Sequence, residues 1–184
     1  MLILMTGVGT KALNEILLTQ FPQERICAAL KQLQLVARGP KPAGALKELG
    51  LQATLTVPEP NTWREILSTL DAAVEVRGKR IAIQEYGIAN PDLIAALEQR
   101  GAIVASIPIY RWALPEDLAP LRGAIEKIIG GGVDVAIFTN GAQVDHLFQI
   151  AGFDKATDAL RQAFKKIVIG SVGPVCTQVL RQFG

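Results

Sequence analysis

The sequence contains two copies of one pattern, and this internal repeat constrains the fold more than any other feature. Residues 2–7 (LILMTG) resemble residues 135–140 (VAIFTN), with their threonines in register 133 residues apart. Residues 35–50 resemble residues 169–184 at an offset of 134, and both segments carry a Gly-Pro pair between an apolar run and a helical pattern. Each copy is predicted to be a strand, a turn, a helix, a second strand, a Gly-Pro turn and a helix. Such a chain is expected to form two similarly built α/β lobes with a ligand cleft between them.

The apolar segments are short, rich in Val, Ile and Leu, and separated by helical patterns, which predicts alternating strands and helices around parallel sheets. The predicted strands of the first lobe cover residues 2–6, 33–37, 52–57, 80–84 and 103–109. The predicted crossover helices, with apolar residues three and four positions apart, cover residues 10–20, 41–49, 62–74 and 91–100. We therefore expect residues 1–109 to form a complete α/β lobe with a Rossmann- or flavodoxin-like parallel sheet.

The composition changes after residue 109, and residues 110–115 indicate a short extended linker. The second part, residues 116–184, contains two predicted strands, whereas a stable sheet usually needs about three. Its predicted elements are a helix over 116–129, a strand over 134–139, helices over 142–151 and 155–164, a strand over 166–171 and a helix over 175–182. This second lobe is expected to be incomplete, with residues missing at both ends of the chain.

Composition and charge exclude several classes of protein. Nineteen Lys and Arg residues against 17 Asp and Glu residues give a net charge of +2, and because the basic residues are scattered we expect no nucleic-acid partner. No apolar run approaches the roughly 18 residues that span a bilayer, so no membrane association is expected. Cys27 and Cys176 lie far apart without a CxxC pair, which argues against a metal site and favours a reducing, cytoplasmic setting. The glycine-rich nucleotide motifs and the GxSxG elbow are also absent.

Four turns that join a strand to a helix are the candidate ligand sites, at residues 6–10, 38–41, 139–143 and 171–176. Free N–H groups and the helix dipole at such turns favour carboxylates or phosphates, at the edge where open α/β sheets bind ligands. The alternative is a purely geometric role, because every α/β protein contains such turns. Cys176 also has two interpretations: a thiolate stabilised in the first turn of a helix, or a small core residue.

Several motifs, in their order and spacing, resemble the uroporphyrinogen-III synthase family over nearly the whole chain. The strand end at residues 137–140 (IFTN) is similar to that family's FTS-type strand end. Residues 172–184 resemble its IGxxTAxxLxxxG segment, and residues 38–50 resemble the counterpart in the other lobe. Residues 107–111 (IPIYR) resemble the family's junction between lobes.

The resemblance implies two α/β lobes joined by a short two-stranded ladder, with the linear tetrapyrrole hydroxymethylbilane bound in the cleft between them. It implies a lyase without cofactor or metal. Such an enzyme promotes loss of the terminal hydroxyl as water and closes the ring with inversion of the last pyrrole through a spiro intermediate, giving uroporphyrinogen III. Positioning of an electron-rich pyrrole substrate can carry this rate without a protein nucleophile.

Tyr110 matches the junction tyrosine of the family, for which the resemblance implies a role in assisting departure of the hydroxyl. A tyrosine phenol carries its proton at neutral pH and can donate it. The alternative for Tyr110 is a hinge residue packed between lobes. The eight carboxylates of the substrate suit helix amino ends and a few cations. The residues expected to bind the substrate are Thr6, Gly7, Arg38, Gly39, Lys41, Arg111, Thr139, Asn140, Gly173 and Cys176.

The sequence also departs from the family pattern. Pro42 and Cys176 stand where many members carry Thr, and Asn140 replaces a common Ser. An amino-terminal β-α-β unit and a final strand and helix of the family have no counterpart here, so we expect a fragment or a truncated copy. These departures leave open a second function, a non-catalytic tetrapyrrole-sensing domain of a synthase-like transcriptional regulator, and more weakly a generic two-lobed binding protein. A monomer is expected if the chain is complete, and self-association through an open sheet edge if it is truncated.

Overall fold

Short runs of Val, Ile and Leu build a five-stranded parallel sheet in the first part of the computed structural model, which describes residues 1–87 and 89–184. The chain divides into two units, Met1–Trp112 and Ala113–Gly184, and the division falls inside the segment expected to be a linker. The strands of the first unit are β1 (Leu2–Leu4), β2 (Leu35–Ala37), β3 (Leu55–Thr56), β4 (Arg80–Gln84) and β5 (Ile103–Ile107), in the order β3-β2-β1-β4-β5. The predicted α/β class is confirmed.

Helices cover both faces of this sheet, as buried parallel strands require. They are α1 (Gly7–Leu18), α2 (Gln23–Lys31), α3 (Pro40–Glu48), α4 (Trp63–Ala73) and α5 (Pro91–Gln99). On one face Leu2, Leu4 and Leu35 pack in a cluster with side chains of α1, α2 and α3. On the other face Ile3, Met5 and Val36 pack in a cluster with side chains of α4 and α5.

Two elements of the first unit differ from the sequence prediction. Helix α2 occupies a stretch to which the sequence analysis assigned no element, and Ile26 is its one buried residue. Strand β3 is two residues long instead of six, because it pairs with β2 alone among the described residues and Pro58 follows close behind it.

The second unit contains four helices and a two-stranded parallel sheet among its described residues. Its elements are α6 (Ala119–Ile129), β6 (Val135–Phe138), α7 (Gly141–Phe153), α8 (Thr157–Phe164), β7 (Val168–Ser171) and α9 (Pro174–Phe183). Helix α6 begins three residues later than predicted, where the Ala119 backbone N–H donates to the Asp117 side chain at 2.9 Å. Across the described parts of both units, every helix is too short or too polar to cross a lipid bilayer.

The repeat is visible in the folded chain at a single offset of 134 residues. Strands β1 and β2 pair Leu2 with Leu35, and β6 and β7 pair Ala136 with Ile169. Helix α2 has its counterpart in α8. The helices α3 and α9 both follow a glycine cap with a φ of 174°. The sequence pattern aligns the two threonines; in the structure the position of Thr6 corresponds instead to Asn140, because each of these residues caps the following helix.

One face of the second sheet is exposed where its counterpart in the first unit is buried. Ile3 is 0 % exposed, whereas Ile137, at the equivalent position, is 72 % exposed. Val135 and Val168 on the same face are 52 % and 65 % exposed. The second unit therefore has the helices that cover one sheet face, and its other apolar face meets solvent.

Candidate functional site

Four chain segments meet at the carboxyl edge of the five-stranded sheet. Strand β1 lies between β2 and β4, so the strand order reverses there, and ligands of open α/β sheets bind at such a reversal. Thr6 follows β1, Arg38 follows β2, Tyr86 follows β4 and Tyr110 follows β5. This edge is the candidate functional site of the first unit.

Two candidate residues, Thr6 and Tyr110, are in contact at this edge. The Thr6 Oγ1 and the Tyr110 hydroxyl oxygen lie 3.3 Å apart, although 104 residues separate them in sequence. Thr6 is also the cap of α1, since its Oγ1 accepts a hydrogen bond from the Gly9 backbone N–H at 3.0 Å. The cap fixes the threonine hydroxyl, and the hydroxyl in turn gives the tyrosine a fixed partner.

A cation lies beside this pair. The Arg38 guanidinium stacks on the Tyr86 ring, 5.3 Å from its centroid, and none of the four ion pairs among the described residues involves Arg38. Burial lowers the pKa of the Arg38 guanidinium and raises the pKa of the Tyr86 phenol, and the positive charge of Arg38 partly opposes the second shift. An arginine remains charged at neutral pH. Arg38 is therefore a suitable partner for a carboxylate.

The orientation of Tyr110 depends on neighbours that the sequence analysis did not select. The indole of Trp112 packs edge-on against the Tyr110 ring, with centroids 6.1 Å apart, and donates its N–H to the Tyr86 carbonyl at 3.0 Å. Gly87 adopts a φ of 88°, and a Cβ there would lie 2.7 Å from Trp112 and 2.9 Å from Tyr110. A glycine three residues after the end of β4 was the available sequence signal for this close approach.

Close contacts fix the two turns that carry the other candidate substrate-binding residues of the first unit, Gly7, Gly39 and Lys41. A Cβ on Gly7 would lie 2.8 Å from the Lys41 carbonyl oxygen, so the amino ends of α1 and α3 touch. Gly39 packs in a similar way against the side chain of Asn61, whose amide donates to the carbonyls of Arg38 and Val57 at 2.9 and 3.0 Å. The side chains of Lys41 and Arg111 are exposed to solvent.

Four further candidates lie in the second unit, where most of their contacts are local. Thr139 donates its backbone N–H and its hydroxyl to Gln143 Oε1 at 2.9 and 3.2 Å. Asn140 caps α7 through the Gln143 N–H at 3.0 Å. Gly173 caps α9. Cys176 is 3 % exposed in the core of this unit, with its thiol 3.7 Å from the Phe138 carbonyl.

The surroundings of Cys176 favour the core interpretation over the thiolate, since burial raises the pKa of its thiol. The turn before α9 also contains a polar contact that was not predicted from the sequence. The hydroxyls of Ser171 and Thr177 lie 2.5 Å apart. Thr177 also donates to the Gly173 carbonyl at 3.0 Å. Within residues 1–87 and 89–184 no group of three or more His, Cys, Asp or Glu side chains could hold a metal ion.

The chemistry available at the edge of the first unit is proton donation and carboxylate binding. Tyr110 and Thr6 are hydroxyl donors held in one geometry. Arg38 and the amino ends of α1 and α3 are positive groups beside them.

Comparisons with known proteins identify relatives over the whole chain. The family model described as uroporphyrinogen-III synthase HemD matches residues 1–184. A crystal structure of a mutant uroporphyrinogen III synthase from the extremely thermophilic bacterium Thermus thermophilus has a TM-score of 0.70 and 30 % sequence identity, with 100 % of this chain and 68 % of that chain covered.

Two curated relatives are longer than this chain. The "Putative uroporphyrinogen-III synthase" of Methanothermobacter thermautotrophicus is 32 % identical over 146 residues, which cover 79 % of this chain and 56 % of the relative. The uncharacterized protein YjjA of Bacillus subtilis is 28 % identical over 180 residues, 97 % of this chain and 66 % of the relative. The chain thus spans between about half and two thirds of these relatives. By its match to the family model over its whole length, it belongs to the uroporphyrinogen-III synthase family.

Proposed function

We propose that this chain is a uroporphyrinogen-III synthase, a hydro-lyase that cyclises hydroxymethylbilane with inversion of the last pyrrole ring. The observation that carries the proposal is the pair of hydroxyls of Thr6 and Tyr110, 3.3 Å apart, beside the Arg38 guanidinium. A lyase of this kind needs a proton donor for the departing hydroxyl and positive groups for the substrate carboxylates, and this edge of the sheet supplies both.

In the proposed mechanism, Tyr110 donates a proton to the terminal hydroxyl of the substrate, so that it leaves as water. The adjacent pyrrole supplies the electron pair that expels it, which is why no protein nucleophile is required. Thr6 holds the tyrosine hydroxyl in position through their contact. The ring then closes through a spiro intermediate, and the inverted last pyrrole gives isomer III.

Carboxylate binding fixes the substrate for this step. We assign it in the first unit to Arg38 and to the backbone around Gly7, Gly39 and Lys41, with Arg111 as an exposed cation following Tyr110. In the second unit we assign the same role to the turns at Thr139, Asn140 and Gly173. Cys176 is left out because its side chain is buried in the core. The two free cysteines, Cys27 and Cys176, fit a reducing compartment such as the cytoplasm.

The test is a product analysis with freshly generated hydroxymethylbilane. The products are oxidised and separated by chromatography, and the ratio of isomer III to isomer I is compared with a control that lacks the protein. Closure without the enzyme gives isomer I, so we expect an excess of isomer III. Isomer I alone, from protein with the circular dichroism of a folded α/β chain, would overturn the proposal.

A further inference from the structure

The buried side chain of Gln84 completes the carboxyl end of β1. Gln84 is the last residue of β4 and is 0 % exposed. Its Oε1 accepts hydrogen bonds from the backbone N–H groups of Met5 and Thr6 at 3.2 and 3.3 Å. Its amide nitrogen donates to the Glu85 carbonyl. The ladder between β1 and β4 ends at the pair of Leu4 and Gln84, so the glutamine amide continues the pairing where the backbone of β4 stops.

The same amide also lies under the first turn of α1. A Cβ on Gly9 would clash with the Gln84 carboxamide, so the turn can lie this close only because residue 9 is glycine. Gly9 is the residue whose N–H donates to the Thr6 hydroxyl at 3.0 Å. Gln84 therefore contacts both parts of the cap, the backbone of Thr6 and the residue that holds the Thr6 side chain.

We propose that Gln84 is a positioning residue for the reaction, which holds the Thr6 hydroxyl at the distance from Tyr110 that proton donation requires. The inference rests on the proposed function of Thr6 and Tyr110. Gln84 lies buried beneath the turn and its amide is uncharged, so we assign it no direct contact with the substrate. It acts through Thr6, and its loss is expected to shift the hydroxyl pair while Arg38 stays in place.

Glutamine suits this position because the site needs an acceptor and a donor without charge. A methionine of similar size would leave the buried Met5 N–H and the partly buried Thr6 N–H without these partners. A glutamate would keep the acceptor oxygens and lose the N–H donor to Glu85, with the added cost of a buried charge. Both replacements keep the approximate volume of the side chain, so they separate hydrogen bonding from packing.

The first experiment compares Gln84→Met with Gln34→Met. Gln34 precedes β2 at the opposite edge of the same sheet, where its side chain accepts from Lys79 at 3.5 Å, and it serves as the matched control. We expect Gln84→Met to lower kcat for isomer III by about 100-fold, as misplacement of a reacting group does, with KM within about twofold of the parent chain. Gln34→Met is expected to keep both values. An unchanged kcat, or a loss confined to KM, would overturn the proposal.

A double variant distinguishes positioning from general damage. If Gln84 acts through the hydroxyl pair, Gln84→Met should have little further effect in the Tyr110→Phe background. If instead the kcat loss of the double variant equals the product of the losses of the two single variants, Gln84 does not act through Tyr110. Should Gln84→Met fail to fold, Gln84→Glu is measured instead. It keeps both acceptor bonds to Met5 and Thr6, so we expect kcat within about tenfold of the parent chain, and a loss of about 100-fold would contradict positioning through these bonds.

Amide hydrogen exchange tests the positioning without any activity. In the parent chain the Met5 and Thr6 amides are expected to exchange slowly. In Gln84→Met they should exchange faster, while the exchange rate of the Leu4 amide is unchanged. Fast exchange at both amides in the parent would exclude the proposed contact. If the parent gives no isomer III yet shows the slow exchange, the proposed function fails and the structural role of Gln84 stands, so the two failures are distinguishable.

Discussion

The hydroxyl groups of Thr6 and Tyr110 lie 3.3 Å apart at the carboxyl edge of one sheet. Thr6 is fixed by its cap on α1, and Tyr110 is fixed by the ring of Trp112. Both hydroxyls are therefore held in place, and Tyr110, the proton donor that we propose, would need little rearrangement to react, as is expected of a preorganised acid.

Replacing Tyr110 with phenylalanine removes the proposed proton donor and keeps the ring that packs on Trp112. We expect Tyr110→Phe to lower kcat for isomer III by roughly 100-fold or more, because general acid catalysis contributes about that much. The ratio of isomers and the rate of substrate consumption measure this loss, and thermal unfolding verifies that the variant is folded. Full activity of Tyr110→Phe would remove the tyrosine from the mechanism.

Thr6→Val removes a helix cap and the hydroxyl next to Tyr110 together. Loss of the cap is expected to lower the free energy of unfolding by about 1 kcal/mol, and loss of the hydroxyl should also lower kcat. Thr19→Val at the other end of α1 is the matched control, since the Thr19 hydroxyl donates only to the Ile16 carbonyl at 2.7 Å on an exposed surface. Urea unfolding and the isomer assay should distinguish the two valine variants. If Thr6→Val and Thr19→Val have the same unfolding free energy and the same kcat, Thr6 contributes nothing beyond an ordinary surface threonine.

Arg38→Gln is expected to weaken binding of carboxylated tetrapyrroles by about tenfold, as loss of a charge-assisted hydrogen bond would. Uroporphyrin III, the oxidised product, can serve as a fluorescent ligand in a titration. Arg25→Gln is the control, because Arg25 also stacks on an aromatic ring, at 4.9 Å from the Phe21 centroid, away from the candidate site. Binding by the Arg38 variant should also depend less on salt; an affinity equal to that of the Arg25 variant would contradict the assignment.

The equivalent positions Ile3 and Ile137 should differ widely in their contribution to stability. Ile3 is fully buried and Ile137 is 72 % exposed. Ile3→Ala is therefore expected to cost about 2–5 kcal/mol of unfolding free energy, and Ile137→Ala about 0.5 kcal/mol or less. Denaturant titrations of both variants measure the difference. Similar costs would mean that the exposed face of the second sheet is covered in solution.

The sequence was sufficient to predict the positions of the strands and the turns after them, although not the short length of β3, because apolar runs ended at Gly, Pro or polar residues. It did not predict the contact of Thr6 with Tyr110, since that contact depends on β1 and β5 flanking β4 in one sheet. The buried contacts of Gln84 were not predicted for another reason. A polar residue after an apolar run indicates the end of a strand, but the sequence pattern does not show whether its side chain is buried.

Helix α2 was missed because its apolar pattern is weak, although the repeat contained the necessary information. At an offset of 134, residues 23–31 correspond to 157–165, a segment whose helical pattern was recognised. The offset of 133 taken for the first strands arose from matching two threonines. The structure matches the caps Thr6 and Asn140 instead, because a helix cap accepts either side chain.

The contact of Gly7 with the Lys41 backbone has a mechanical consequence. Because a Cβ on Gly7 would lie only 2.8 Å from the Lys41 carbonyl oxygen, α1 and α3 abut without an intervening side chain. We therefore expect a displacement of the turn that carries Arg38 to displace the turn that carries Thr6 as well. A larger residue at position 7 would push the amino ends of these helices apart, and we expect it to move Arg38 away from Thr6 and Tyr110.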